Sequence, residues 1–317
     1  RRPPRSTLSS SSAASDVYKR QIQRKDLSTE KQNVESLNID ELSIIRILEL
    51  INNEDASLPK KIAASLAEIE QTVDLCIQSL KSNGRIFYIG AGTSGRLGVL
   101  DASEIPPTFS APNDLFTGII AGGDKALKNS VEGAEDDPEQ AIKDLKAHSV
   151  KKDDVLIGIS SSGAARYVKS ALDYAKSIKA KIVYITCNKT PYFHVDADVA
   201  IALETGPEII TGSTRMKAGT ATKMVLNMIS SATMIKLGKV YGNLMVDLMA
   251  VNDKLIDRGC RIISQLTNVD EIVAKRTLVR SKMSVKTAIV MIYHSIGYDK
   301  AKKMIDDSDG MLRKIIS

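Results

Sequence analysis

Tryptophan is absent and phenylalanine occurs only four times in 317 residues. Single-stranded nucleic acid is held largely by stacking bases on aromatic faces, and no basic stripe in this chain is interleaved with aromatics, so no nucleic-acid partner is expected. Cysteine is also scarce. Cys76, Cys187 and Cys260 lie far apart without CxxC spacing, which argues against a disulfide framework or a cysteine zinc site and predicts three buried small hydrophobes. His148, His194 and His294 are equally scattered, so neither a metal set nor a catalytic triad is expected from them. No apolar run approaches the roughly 20 residues that cross a bilayer, and the opening residues lack the order of a signal peptide. The expectation is a cytoplasmic protein with no membrane partner.

The composition, 43% apolar and 26% charged, is that of a globular chain long enough for two folded units. Its net charge of +6 is concentrated at one end: Arg1, Arg2, Arg5, Lys19 and Arg20 against Asp16 supply four of those charges. Residues 1–21 also contain the Ser/Ala-rich stretch Ser6–Ser15, a composition that does not bury a core. They read as foreign to the fold, either the translation of a sequencing adaptor (Asp16-Val-Tyr-Lys-Arg-Gln21) or a disordered tail. The remainder is nearly balanced in charge.

From Ile39 the apolar residues Leu42, Ile45 and Leu48, and then Ile62, Leu66, Ile69, Val73 and Ile77, recur at three and four residues, predicting helices over 22–75. Pro59 suits a first helical turn. Five short β-rich runs follow: 85–89, 116–121, 155–159, 181–186 and 199–203. Strands alternating with helical stretches predict a parallel sheet covered on both faces, whose ligand crevice lies at the carboxyl ends of the strands. After Gly212 a long apolar-periodic segment runs to about Leu237, then another over 243–263, then two or three short amphipathic helices. The expected division is a sheet-bearing unit over 76–239 and a helical unit over 240–317. Met216, Met224, Met228 and Met234 are expected in the core.

Two loops carry the chemistry. The first strand runs into Gly90-Ala-Gly-Thr-Ser-Gly-Arg96, where glycines allow a tight turn and Thr93 and Ser94 bring hydroxyl donors to a helix N-terminus suited to an anion. It is neither a Walker loop, since no GK[ST] follows, nor the dinucleotide GxGxxG. The third strand runs into Ser160-Ser161-Ser162-Gly163. Two such loops on one sheet can converge on a single phosphate, and without the Lys and metal-binding acid of nucleotide transfer a phosphosugar is the better ligand. Acidic residues lie between the two loops: Glu104 before Pro106 and Pro107, and the cluster Glu132, Glu135, Asp136 and Asp137 after the second strand. Spacing alone does not choose among them.

Gly90–Thr108 (GAGTSGRLGVLDASEIPPT), Ala121–Asp136 (AGGDKALKNSVEGAED) and Gly206–Asn227 (GPEIITGSTRMKAGTATKMVLN) together resemble the N-acetylmuramic acid 6-phosphate etherase family of the SIS (sugar-phosphate isomerase) superfamily. The likeness extends from about Thr29 to Lys314. It implies an α/β fold, a three-layer α-β-α sandwich on a five-stranded parallel sheet with a C-terminal helical subdomain, a homodimer, and neither metal nor organic cofactor. It implies that Glu104, in DASE-x-PPT, donates a proton and that Glu135, in EGAE, is the second acid/base group. It places Thr93, Ser94, Ser160, Ser161 and Ser162 at the phosphate. Glu208, Ser213 and Lys217 lie in its third signature and are expected on the sugar, although Ser213 or Thr214 would serve equally well as a helix cap. One departure stands out: the family's GIAASGRTPYV is Gly158-Ile-Ser-Ser-Ser-Gly-Ala-Ala-Arg-Tyr-Val168 in this chain.

The implied reaction needs two carboxyls. An open-chain aldehyde at C1 acidifies the C2 proton; one carboxylate removes it, lactate leaves from C3 as a carboxylic acid protonates the ether oxygen, and water then adds at C3. A carboxyl kept protonated near neutrality needs an apolar or like-charged setting, which two acids in one crevice provide. The competing readings are a non-catalytic sugar-phosphate sensor, like the glucokinase regulatory protein, and an aldose-ketose isomerase. Retention of both glutamates favours an enzyme over the first, and the full signatures disfavour the second.

Overall fold

The computed structural model describes residues 23–316 apart from Met249, so the segment 1–21 lies outside the described residues. Five strands, β1 (Ile86–Gly90), β2 (Phe116–Ile120), β3 (Val155–Ile159), β4 (Lys181–Thr186) and β5 (Val199–Ala202), form one parallel sheet in the order β2-β1-β3-β4-β5. The expected runs agree with these to within one or two residues at their ends. β1 and β3 are buried along their whole length, which is why they read as continuous apolar runs rather than alternating ones.

Alternate residues of β1, β3 and β4 feed two different cores. Ile86 and Tyr88 join the layer made by α2 (Leu58–Ala63), α3 (Leu66–Lys81) and α9 (Lys217–Lys236). Phe87 and Ile89 join the layer made by α7 (Pro138–Ala147) and α8 (Arg166–Ser177). The result is an α-β-α sandwich. Parallel pairing obliges each connection to cross the sheet. The crossing from β1 to β2 is made by α4 (Gly92–Ser103) and α5 (Ile105–Phe109); α6 (Lys125–Lys128) and α7 carry β2 to β3, and α8 carries β3 to β4. α4 lies unusually close to the strands: a Cβ on Gly118 would sit 2.4 Å from the Val99 Cα, so only glycine admits the helix there.

Cys76, Cys187 and Cys260 are free and buried, as expected of small hydrophobes. The helix α1 (Ile44–Ala56) forms where periodicity placed it, but none of its residues is buried and Ile44 is 78% exposed. The run expected as a helix from Asn243 becomes helical only at Asp253. Asn252 caps α10 (Asp253–Thr267) by accepting from the Leu255 N–H at 3.0 Å, while Val246, Leu248 and Ala250 fill the C-terminal core from a non-helical segment. That core is completed by α11 (Glu271–Arg280), α12 (Val285–Tyr293) and α13 (Tyr298–Asp307). Lys286 ties it to the end of α9, donating to the Gly238 carbonyl at 3.0 Å, the Gly310 carbonyl at 2.8 Å and Asp247 at 2.5 Å. Among the described residues no helix is long and apolar enough to cross a membrane.

Candidate active site

The N-terminus of α4 opens at the carboxyl end of β1. Its cap residue, Ala91, has no side chain that could bond the first turn, and the first backbone donor to find a partner is Gly95, which bonds the Ala91 carbonyl at 3.3 Å. Among the described residues the N–H groups of Gly92, Thr93 and Ser94 therefore have no acceptor. Gly92 has φ +53°, the left-handed region that admits glycine at little cost. An uncapped helix start of this kind favours an anion through its free donors and its dipole.

Beside it, β3 ends in Ser160–Ser162. The Ser160 N–H bonds Ile185 and the Gly163 N–H bonds Ser160, each at 3.0 Å, whereas the Ser161 and Ser162 N–H groups have no acceptor among the described residues. Both loops line one cavity of about 140 Å³, together with Glu135, Ala165 and Thr214. It continues into a second cavity of about 280 Å³, which shares Ala91, Gly92 and Glu135 and is walled by Arg96 and residues 129–134.

The acidic cluster separates into distinct roles. Asp137 caps α7, accepting from the Glu139 and Gln140 N–H groups at 3.1 and 2.9 Å. Glu132 accepts from the Ser130 hydroxyl at 3.0 Å. Glu135 has no hydrogen bond or ion pair among the described residues and opens on both cavities. Its loop is held by Arg96, whose guanidinium donates to the Leu127 carbonyl at 3.1 Å and the Asn129 carbonyl at 3.0 Å. Arg96 sits in the quoted signature but was given no task from the sequence; an arginine one turn into an anion-binding helix was the available signal.

Glu104 is placed elsewhere. It is the exposed C-cap of α4, ten residues beyond Ser94, so about 15 Å separates them along the helix axis at 1.5 Å per residue. The helix carries Glu104 from the carboxyl edge of the sheet towards the opposite edge, where β2 begins. Within one chain the two carboxyls thus do not share a crevice, contrary to the expectation of paired acids. The end of α4 is fixed by the buried Asp101, which accepts from the Tyr88 hydroxyl at 3.0 Å and the Lys223 ammonium at 3.3 Å.

The third signature has protein partners of its own. Glu208 is fully buried, and its carboxylate accepts from the Lys217 and Ala218 N–H groups, each at 2.9 Å. It, rather than Ser213 or Thr214, caps α9, because a carboxylate can take two of the free donors at once. Burial pushes its pKa up, against the lowering by those two N–H groups and the Lys217 ammonium. The Lys217 side chain is 3% exposed and pairs with Glu54 of α1. Neither group is thereby left free for the direct sugar contact expected of it. Ser213, half-buried, lies in the turn before α9, and its neighbour Thr214 reaches the smaller cavity. At the departure from the family pattern, Ala165 lines that cavity and the exposed Arg166 starts α8.

The SIS domain family matches residues 134–232, and the glucokinase regulatory protein N-terminal SIS domain family matches residues 68–176. The N-acetylmuramic acid 6-phosphate etherase of Oceanobacillus iheyensis is 50% identical over 288 residues, 91% of this chain and 98% of that protein. The chain belongs to the N-acetylmuramic acid 6-phosphate etherase family. The relatives named as this etherase in Geobacillus thermodenitrificans, at 48% identity, and Pectobacterium atrosepticum, at 47%, each align with 92% of the chain. Family membership thus covers the sheet, both loops, the acidic cluster and the C-terminal helices together.

Proposed function

We propose that this etherase-family chain cleaves the D-lactyl ether of N-acetylmuramic acid 6-phosphate, giving N-acetylglucosamine 6-phosphate and D-lactate, in the cytoplasmic recycling of cell-wall sugars. The observation that carries the reading is Glu135, an unpartnered carboxyl opening on a cavity that continues directly from the phosphate-sized one. The phosphate is held by the free N–H groups of Gly92, Thr93 and Ser94, the hydroxyls of Thr93 and Ser94, and the Ser160–Ser162 loop. The sugar extends into the larger cavity, past Glu135.

In the reaction the open-chain aldehyde loses its C2 proton to a carboxylate, the C3–O bond breaks as the ether oxygen is protonated, and the unsaturated aldehyde takes up water at C3. Proton, leaving group and water balance without an added oxidant or reductant. Glu104, the second carboxyl, is too far along α4 to reach a sugar bound beside Glu135 of its own chain. A homodimer resolves this if Glu104 of one copy enters the crevice of the other. Leu100, one turn before Glu104, is 44% exposed, as a surface that meets a second copy requires. Glu208 and Lys217 then support the site from behind, through the start of α9, and Ser213 does so through the turn that carries Thr214.

The test is release of lactate from N-acetylmuramic acid 6-phosphate. Tight binding of that sugar without turnover would favour the sensor, and conversion of an aldose phosphate without lactate release would favour the isomerase.

A further inference from the structure

The Asn188 side chain is 2% exposed and its amide is fully used. Its oxygen accepts from the Ser28 hydroxyl at 2.6 Å and from the Thr29 N–H at 3.4 Å; its NH₂ donates to the Thr29 hydroxyl and to the Ser161 carbonyl, each at 3.0 Å. Two of these partners belong to the N-terminal segment and one to the second phosphate loop, 159 and 27 residues away in sequence. Thr29 is itself fully buried.

The Ser161 carbonyl has a second donor, the Cys187 N–H at 2.9 Å. With that oxygen fixed inward, the planar trans peptide that follows must direct the Ser162 N–H the opposite way. That N–H is one of the two unpaired donors of the loop. The same N-terminal segment also grips the turn leading to α9: the Ser36 hydroxyl donates to the Ile209 carbonyl at 2.8 Å and the Lys61 ammonium to the Thr205 carbonyl at 2.7 Å. That turn delivers Thr214 to the phosphate-sized cavity.

We infer that the segment 28–65 is a strap that sets the phosphate donors, with Asn188 and Thr29 as positioning residues. The strap acts through the Ser161 carbonyl and touches no substrate itself. A buried amide with all its bonds made is rigid, and losing one partner leaves the others unsatisfied, so the loop's aim depends on residues far outside the sheet. The inference rests on the phosphosugar reading of the crevice.

The experiment compares Asn188→Ala, Thr29→Val and Thr29→Ser with the parent, measuring thermal stability, affinity for N-acetylglucosamine 6-phosphate, and KM and kcat for lactate release. Thr29→Val keeps the shape and removes the hydroxyl; Thr29→Ser restores it. The expected result is a loss of affinity and a rise in KM of about tenfold in Asn188→Ala and Thr29→Val, equivalent to one hydrogen bond's worth of binding. In both, kcat is expected to change far less, and Thr29→Ser should return KM to the parent value. Parent-like affinity and KM in a folded Thr29→Val protein would overturn the strap while leaving the phosphosugar reading intact. Failure of the parent to bind the phosphosugar at all would overturn both.

Discussion

Glu208 and Ala218, ten residues apart in sequence, are joined by a 2.9 Å hydrogen bond from the Ala218 N–H to the Glu208 carboxylate, and the other carboxylate oxygen takes the Lys217 N–H at the same distance. A side chain from the preceding loop thereby does the work of a helix cap in a fully buried place. Glu208→Gln retains one acceptor but turns an NH₂ towards the second donor. The variant is expected to be less stable by about 1–3 kcal/mol, the cost of stranding a buried polar group. A denaturation midpoint equal to the parent's would show that the cap is dispensable.

The partner on the other side of Lys217 gives a pH prediction. Burial alone would raise the Glu54 pKa, but the Lys217 ammonium, with Asn33 and Lys61, outweighs it and holds the carboxyl below its ordinary 4.5. The folded chain therefore binds this proton more weakly than the unfolded chain. The stabilisation is complete above the unfolded value and is lost as pH falls through the folded one. Glu54→Gln should cost about 3 kcal/mol at pH 7, where it strands a buried ammonium. The gap to the parent should narrow in acid. Urea midpoints measured down to the acid limit of folding would refute this if the two curves ran parallel.

The Ser94 hydroxyl has no hydrogen-bond partner among the described residues, and the Ser161 hydroxyl has only the weakly bonding Cys187 thiol, so their replacement by Ala should change stability little and act mainly on the ligand. Each bond lost to a charged phosphate weakens binding by about 1.5–3 kcal/mol, roughly tenfold or more. Calorimetric titration with N-acetylglucosamine 6-phosphate measures it. Unaltered affinity in both variants would reduce the two loops to structural turns.

Much of this fold was legible because it depends on local pattern. The runs 155–159 and 181–186 are β3 and β4 to the residue, since a strand buried on both faces has to be continuously apolar. The stripe Leu42, Ile45, Leu48 announced a helix as well, yet it stays exposed in the single chain. Periodicity reports that a helix has an apolar face and does not say where the partner is. The site was legible only where neighbours in sequence are neighbours in space, as at Thr93 and Ser94. Glu104 lies apart from the phosphate loop of its own chain because ten residues of helix separate it from Ser94, a distance that spacing in the sequence does not show. Asn188 was not seen because its partners Ser28 and Thr29 lie about 160 residues away, and no periodic pattern encodes such a contact.

The separation of Glu104 from Glu135 leads to the most discriminating prediction. Glu104→Gln and Glu135→Gln each remove a proton-transfer group while keeping size and polarity, so each alone should lose about 100-fold or more of lactate release while retaining most of its affinity for the phosphosugar. If the two carboxyls meet only across a two-fold dimer, a mixed dimer of one chain of each kind has one crevice lacking both groups and one crevice lacking neither. Random mixing makes half of the dimers mixed, each with one of two crevices intact, so about a quarter of the parent activity should return on co-refolding the two inactive chains. Were both carboxyls to act within one chain, every crevice in the mixture would lack one of them and no activity would return. Deuterium exchange at C2 then separates the roles, because a variant lacking only the leaving-group acid still ionises C2 reversibly, whereas one lacking the base does not. Parent-rate lactate release from both single variants would remove the carboxyls from the mechanism altogether.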